Sequence, residues 1–107
     1  MKFATTIFLL LSLANLLADD AAKASFKKDI RPLIEDNCFS CHGNGKAKGE
    51  VSLDEFKTAN DVHRSYKLWE TVLWKVAAGE MPPKERKRRP DKSERALIAG
   101  WIRHSLD

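Results

Sequence analysis

Two cysteines and a histidine in the stretch CFSCH are the residues of this chain best suited to chemistry. Cys38 and Cys41 are three residues apart, and His42 follows the second cysteine directly. A thiol pair at this spacing is compatible with a structural zinc site, a thiol redox pair, a disulfide or covalent attachment of haem. The rest of the sequence distinguishes among these four.

Three of the four find little support elsewhere. A structural zinc site takes four ligands, and the sequence offers no second close pair of cysteines or histidines. A thioredoxin-like redox pair needs strands that alternate with helices, and a disulfide across so short a loop would constrain little chain. Haem attachment remains, because two thiols can add to the two vinyl groups while His42 binds the iron from one side.

The first residues of the chain indicate export, which haem attachment of this kind requires. Met1 and Lys2 precede the apolar stretch IFLLLSLANLLA, which ends at Ala18 and is followed by two aspartates. This order is typical of a signal peptide, and the predicted location is the periplasm. An uncleaved membrane anchor is the alternative, although the run is shorter than the roughly 20 apolar residues of a spanning helix.

The signal peptide divides the chain. We assign residues 1–18 to it, 19–25 to a short N-terminal segment and 26–107 to the domain. Ala22 and Ala24 are further possible cleavage sites.

The elements that must position the motif are helices. Phe26, Ile30, Leu33 and Ile34 recur at helical spacing before Cys38. Pro32 fits if it lies in the first turn of that helix, or if it bends a longer one. No stretch alternates convincingly as a strand; EVSLDEF is the nearest, and a short turn or helix fits it equally well. We therefore predict an all-α domain.

Two more helices are expected after the motif. The first covers residues 66–78 and stops at Gly79. The second covers residues 92–106 and begins with Asp91 and Glu94 at capping-box spacing. Three tryptophans are expected in the core, and one of them belongs to the contact between the first and last helices. These are Trp69, Trp74 and Trp101, the last being the contact residue.

A second axial ligand would decide between electron transfer and ligand chemistry at a haem iron. Met81 lies in the stretch AAGEMPP, where two prolines stiffen the chain, and a thioether held in this way suits the sixth position. His63 and His104 are its rivals; we expect His63 in a polar connection and His104 on the last helix, both exposed to solvent. The Nδ1–H of His42 should donate to a backbone carbonyl within residues 43–52. The indole N–H of Trp69 or Trp74 is a possible donor to a haem propionate.

The stretch CFSCH, followed by GEMPP and a closing amphipathic helix, resembles a class I cytochrome c. Longer stretches resemble the planctomycete-type cytochrome c domain over about residues 26–107: DIRPLIEDNCFSCHGNGKAKGEVSLD, LWETVLWKVAAGEMPP and ERALIAGWIRHSLD. The resemblance implies three to four helices around one covalent haem c, thioether links at Cys38 and Cys41, and axial ligation by His42 and Met81. Further domains commonly follow this domain in that family, so a free-standing carrier and a relative of a larger protein both remain open.

An iron held by two protein ligands leaves no easy position for substrate or dioxygen, so electron transfer without enzymatic activity is the predicted function. Two alternatives remain at this point. One is a haem module that acts with, or senses for, a partner enzyme. The other is a haem-free metal or redox module built on the two cysteines.

Positive charge is concentrated in one stretch. Residues 19–107 contain 18 basic and 15 acidic residues, of which seven and three lie in KERKRRPDKSER, leaving 11 and 12 elsewhere. We expect the part over residues 84–89 to form a docking rim for an acidic redox partner. A solvated connection is the alternative. Neither nucleic acid nor stable membrane insertion after cleavage is expected. The basic residues of the rim are Lys84, Arg86, Lys87, Arg88 and Arg89.

Overall fold

A computed structural model describes residues 21–107, and over this range helices and turns make up the chain. Four α-helices begin and end within it: α1 (Arg31–His42), α2 (Ala59–Arg64), α3 (Tyr66–Ala77) and α4 (Lys92–Leu106). The described residues contain no strand, and the all-α prediction is confirmed for them. The predicted signal peptide, residues 1–18, lies outside this range.

The helix that carries the cysteines begins in an unusual way. A single π-helical turn, Phe26–Ile30, runs directly into α1, and the Ser25 hydroxyl caps this turn by accepting from the Lys28 amide at 3.3 Å. Pro32 lies in the first turn of α1, directly after the π-helical turn. The first of the two explanations for Pro32 is therefore confirmed.

The two long helices after the motif lie where the sequence predicts them. Gly79 follows α3 with a φ of 76°, a left-handed conformation that glycine adopts without strain. At the start of α4, the Asp91 carboxylate accepts from the Glu94 amide at 2.8 Å, and the Glu94 carboxylate accepts from the Asp91 amide at 2.9 Å. Among the described elements, α3 and α4 share the most extensive contact. The π-helical turn before α1 contacts α4, whereas α1 itself contacts the 3-10 turn Leu53–Glu55.

One short helix was not predicted. Residues Ala59–Arg64 form α2, which begins with a capping box: Thr58 accepts from the Asp61 amide at 3.2 Å, and Asp61 accepts from the Thr58 amide at 3.1 Å. Amides of Lys57 and Thr58 donate to the Asp61 carboxylate and thereby lower its pKa.

The stretch EVSLDEF overlaps two 3-10 turns, Lys48–Glu50 and Leu53–Glu55, so the turn interpretation holds and the strand interpretation is wrong.

A single aromatic cluster joins the ends of the described chain. The Phe26 ring packs on Trp101 of α4 with centroids 4.9 Å apart, and edge-on against Trp69 of α3 at 6.1 Å. Phe56 meets the other side of Trp69 at 5.3 Å. The predicted contact of Trp101 between first and last helices is thereby confirmed. Trp74 was predicted in the core and is instead 62% exposed, because it lies on the outer face of α3.

Candidate functional site

The two cysteines and the histidine lie on the last turns of α1. Cys38 precedes Cys41 by three residues and His42 by four, a spacing that places all three side chains on one helix face. All three are half-buried, and both thiols are free. Cys38 also packs against the hydrophobic core. The structure therefore brings together the three residues of the motif, as its spacing predicts.

The electrostatic surroundings of Cys38 favour an uncharged sulfur. Burial raises its pKa to about 11, against the opposing effect of the Arg95 guanidinium, while Cys41 adds slightly to the rise. A zinc ligand or a reactive redox thiol is a thiolate, whose pKa the surroundings normally lower. A thioether sulfur is neutral and incurs no such penalty. The raised pKa therefore argues against a reactive redox thiolate at Cys38.

His42 is oriented by a carbonyl of the loop that follows it. Its Nδ1 lies 3.2 Å from the Val51 carbonyl oxygen, which can only accept, so Nδ1 carries the hydrogen. The other ring nitrogen, Nε2, is then the unprotonated one and can bind a metal. The prediction of an acceptor within residues 43–52 is confirmed. Val51 lies between the two 3-10 turns, and those turns set the direction of its carbonyl.

An arginine of α1 holds the end of this loop in place. Arg31 donates from Nε to the Phe56 carbonyl and from Nη2 to the Asp54 carbonyl, both at 3.0 Å. The Asp54 carboxylate in turn accepts from the Asn44 amide at 3.1 Å. The end of the loop between the motif and α2 is therefore tied to α1, and its beginning is tied to that end. This fixes the position of the carbonyl that orients His42.

Gly43 ends α1 in a place where no side chain fits. A Cβ atom built there would lie 2.7 Å from the Phe39 ring, and Phe39 is buried in the core. The glycine lets the loop leave the helix across the face of that ring. A close approach of this kind explains the glycine directly after His42.

Met81 lies in the turn between α3 and α4, with its side chain 39% exposed. Its amide donates to the Lys75 carbonyl at 3.2 Å, and its carbonyl accepts from Arg95 at 3.0 Å. The charge of the same guanidinium also acts on Cys38. Arg95 therefore binds the methionine turn, and its charge acts on the helix that carries the cysteines.

The basic stretch after Met81 runs back towards α1. The Arg86 guanidinium hydrogen-bonds the Ser40 hydroxyl, one residue before Cys41. Arg88 pairs with the Asp36 carboxylate at 3.2 Å, with both side chains largely exposed. These contacts place residues 86–88 alongside the cysteine-bearing helix.

The two rival histidines lie on helices and are exposed. His63 belongs to α2, so its predicted place in a polar connection is wrong, whereas its predicted exposure is confirmed. His104 lies in the last turn of α4, exposed as expected. Within residues 21–107, no group of three or more histidine, cysteine or acidic side chains is arranged to hold a metal ion.

Trp69 has a buried indole N–H, for which the sequence suggested a haem propionate as the hydrogen-bond acceptor. Its ring is fully buried, and its Nε1 has no hydrogen-bond acceptor among the described residues. A buried donor without an acceptor costs free energy, on the order of 1–3 kcal/mol. Trp69 therefore suits an additional acceptor group such as a haem propionate, whereas the exposed Trp74 has no comparable need.

Comparison with known proteins agrees with the motif. Residues 38–85, a little under half of the chain, match a family model described as planctomycete cytochrome C. The matched range contains Cys38, Cys41, His42 and Met81. No curated protein and no solved structure gives a match. The family match supports a cytochrome c-type domain, and the resemblance drawn from the sequence is confirmed to that extent.

Proposed function

We propose that this cytochrome c-type domain carries one haem c, held covalently by Cys38 and Cys41, and that it transfers electrons rather than catalysing a reaction. When bound, the haem supplies an iron that alternates between the ferrous and ferric states. The observation that carries the proposal is the hydrogen bond from His42 Nδ1 to Val51, because it leaves Nε2 available beside two free thiols on one helix face.

Met81 is the second axial ligand in this proposal. Its thioether is partly exposed, and its turn is bound through Arg95 to α4. The segment that follows it contacts α1 through Arg86 and Arg88. A methionine is a soft, neutral ligand that favours ferrous iron and raises the potential relative to a second histidine. The support for Met81 is thus the construction of its turn and the contacts of the following segment with the cysteine-bearing helix.

The proposed location is the periplasm, after cleavage of residues 1–18. The motif calls for attachment outside the cytoplasm, and the chain begins with the pattern of a signal peptide. Among residues 21–107, no helix combines the length and the apolar character needed to cross a bilayer.

Covalent attachment is tested by producing the whole chain in a host that exports proteins and attaches haem. Acid-acetone extraction should leave the haem on the polypeptide, because thioether bonds survive acid. The same extraction should remove all haem from the Cys38→Ala, Cys41→Ala double variant. A chain that lacks residues 1–18 should gain no covalent haem, since it stays in the cytoplasm.

His63→Ala is the matched control, because this exposed histidine lies outside the motif and should leave attachment unchanged. Colour that leaves the wild-type chain with the solvent would refute the covalent proposal. A protein without haem, with both cysteines unmodified and stoichiometric zinc bound, would instead establish the haem-free alternative.

A further inference from the structure

The turn that carries Met81 is poor in its own hydrogen-bond donors. Pro82 and Pro83 have no amide hydrogen, so neither residue can donate a backbone hydrogen bond within the turn. On the other side, Glu80 and Met81 both donate to the Lys75 carbonyl, at 2.9 and 3.2 Å. Carbonyl groups of the turn remain to be bound by side chains.

Arg95 binds two of these carbonyls from the first turns of α4. Its Nη1 donates to the Val76 carbonyl at 2.8 Å and to the Met81 carbonyl at 3.0 Å. The first carbonyl belongs to the end of α3 and also accepts from the Gly79 amide at 3.1 Å, so Arg95 is an additional donor to it. One guanidinium therefore joins the end of α3, the methionine itself and the start of α4.

Arg89 binds two more carbonyls from the segment just before α4. Its Nη2 donates to the Gly79 carbonyl and its Nε to the Pro82 carbonyl, each at 3.3 Å. These two carbonyls flank Met81 on either side. Arg89 is half-buried, unlike Arg86 and Arg88 of the same basic stretch, which are exposed.

Arginine suits this task because its planar fork presents several donors at fixed angles and stays charged at every relevant pH. Together Arg89 and Arg95 bind carbonyls at residues 76, 79, 81 and 82. The four hydrogen bonds therefore hold the backbone on both sides of Met81, from the end of α3 to Pro82.

We propose that Arg89 and Arg95 are positioning residues that hold the Met81 turn so that its thioether faces the haem iron. This inference rests on the proposed ligation by Met81. With both arginines in place, the turn keeps one conformation and the Met81 side chain keeps its position. Without either one, the turn samples other conformations and the thioether leaves its position more often.

The test uses the haem-loaded protein and follows the binding of imidazole to ferric protein by stopped flow, since imidazole can enter only while Met81 is displaced. The variants are Arg89→Gln, Arg95→Gln and Arg95→Lys. Arg88→Gln is the matched control, because it removes the same charge from the same stretch but breaks only an exposed ion pair. Amide hydrogen exchange at Glu80 and Met81 gives a readout that does not depend on imidazole.

Arg89→Gln and Arg95→Gln should each accelerate imidazole binding about tenfold, the factor expected when the Gln amide keeps one of the two carbonyl bonds and one bond to a charged group is lost. Exchange at Glu80 and Met81 should rise together with that rate. Arg95→Lys keeps the charge but not the fork, so it should hold the midpoint potential near the wild-type value while imidazole still binds faster. Far-UV circular dichroism identifies a variant that fails to fold. If Arg95→Gln is such a variant, the test rests on Arg89→Gln.

Imidazole rates and exchange in both Gln variants equal to those of Arg88→Gln would overturn the positioning role alone. Failure of Met81 ligation looks different: the wild-type protein would lack the red charge-transfer band of methionine-bound ferric iron. In that case the role of both arginines falls with the ligation.

Discussion

Met81 is the residue whose loss would open the proposed iron site. Met81→Ala removes the thioether but keeps the backbone amide and carbonyl that bond to Lys75 and Arg95. The red charge-transfer band of the ferric protein should disappear, the midpoint potential should fall, and the ferrous protein should bind carbon monoxide. Visible spectroscopy and redox titration of the purified haem protein measure all three effects.

Controls at the two other histidines decide between ligands. His63→Ala and His104→Ala should leave the band and the potential as in the wild type, because both side chains are exposed on α2 and α4. If Met81→Ala is spectrally silent while one histidine variant changes the spectrum, the axial ligand is that histidine.

The sequence alone identified the residues of the CFSCH motif, but it did not reveal the surroundings of each side chain. The acceptor for His42 was predicted only as one carbonyl within residues 43–52, because the direction of a loop carbonyl depends on turns that no periodicity announces. Trp74 was misassigned to the core for a different reason. Trp74 lies on the outer face of α3, away from the buried Trp69 and Leu73, and residue type alone does not reveal which face a tryptophan occupies.

The start of α4 depends on one capping residue. Asp91→Ala removes the carboxylate that accepts from the Glu94 amide, and it leaves that donor without its partner. Loss of such a cap costs about 1 kcal/mol. For a domain of this size, the melting temperature should fall by roughly 4–8 °C for each kcal/mol. Thermal unfolding followed by circular dichroism at 222 nm measures the change.

Asp91→Ser is the matched variant, since a serine hydroxyl can replace the capping oxygen. It should retain most of the stability that Asp91→Ala loses. Equal losses in the two variants would mean that the charge of Asp91, rather than its cap, stabilises the start of α4.

Helices were predictable in proportion to their length. The pattern of apolar residues located α4, and it located α3 to within one residue, because each helix turns an apolar stripe towards the core over at least three turns. Residues Ala59–Arg64 are too few to display that stripe. The spacing of Thr58 and Asp61 was the one available signal for α2, and it is the same capping-box spacing that marked α4.

In the folded molecule, the arginines of the basic stretch form two groups that the sequence alone could not distinguish. Arg89 and Arg95 bind backbone carbonyls of the methionine turn, and Arg86 and Arg88 contact α1. Composition counts all of these charges alike, because contacts formed across the fold leave no trace in local sequence. Within residues 21–107, the side chains of Lys84 and Lys87 make no hydrogen bond or ion pair, and both are exposed. Within the rim over residues 84–89, these two lysines are therefore the charges best suited to a partner.

We propose that Lys84 and Lys87, beside the methionine turn, attract an acidic redox partner before contact. Such attraction acts over a Debye length of about 8 to 10 Å at physiological salt and weakens as salt rises. Electron transfer with ferricyanide, a negatively charged reagent, should slow as salt rises, and with a positively charged cobalt phenanthroline complex it should accelerate. Stopped-flow measurements on the haem protein over a range of salt concentrations give both trends.

The double variant Lys84→Gln, Lys87→Gln should flatten both trends and lower the low-salt rate with ferricyanide by roughly 3- to 10-fold, a modest part of the range that steering can supply. Its midpoint potential should stay close to the wild-type value, because neither lysine contacts the methionine turn or α1 through a polar bond. Lys27→Gln, Lys28→Gln is the matched control: it removes two charges of the same sign from exposed positions on the π-helical turn, outside the basic stretch. If the control flattens the trends equally, only the net charge of the molecule steers the reagent, and residues 84–89 serve as a solvated connection to α4.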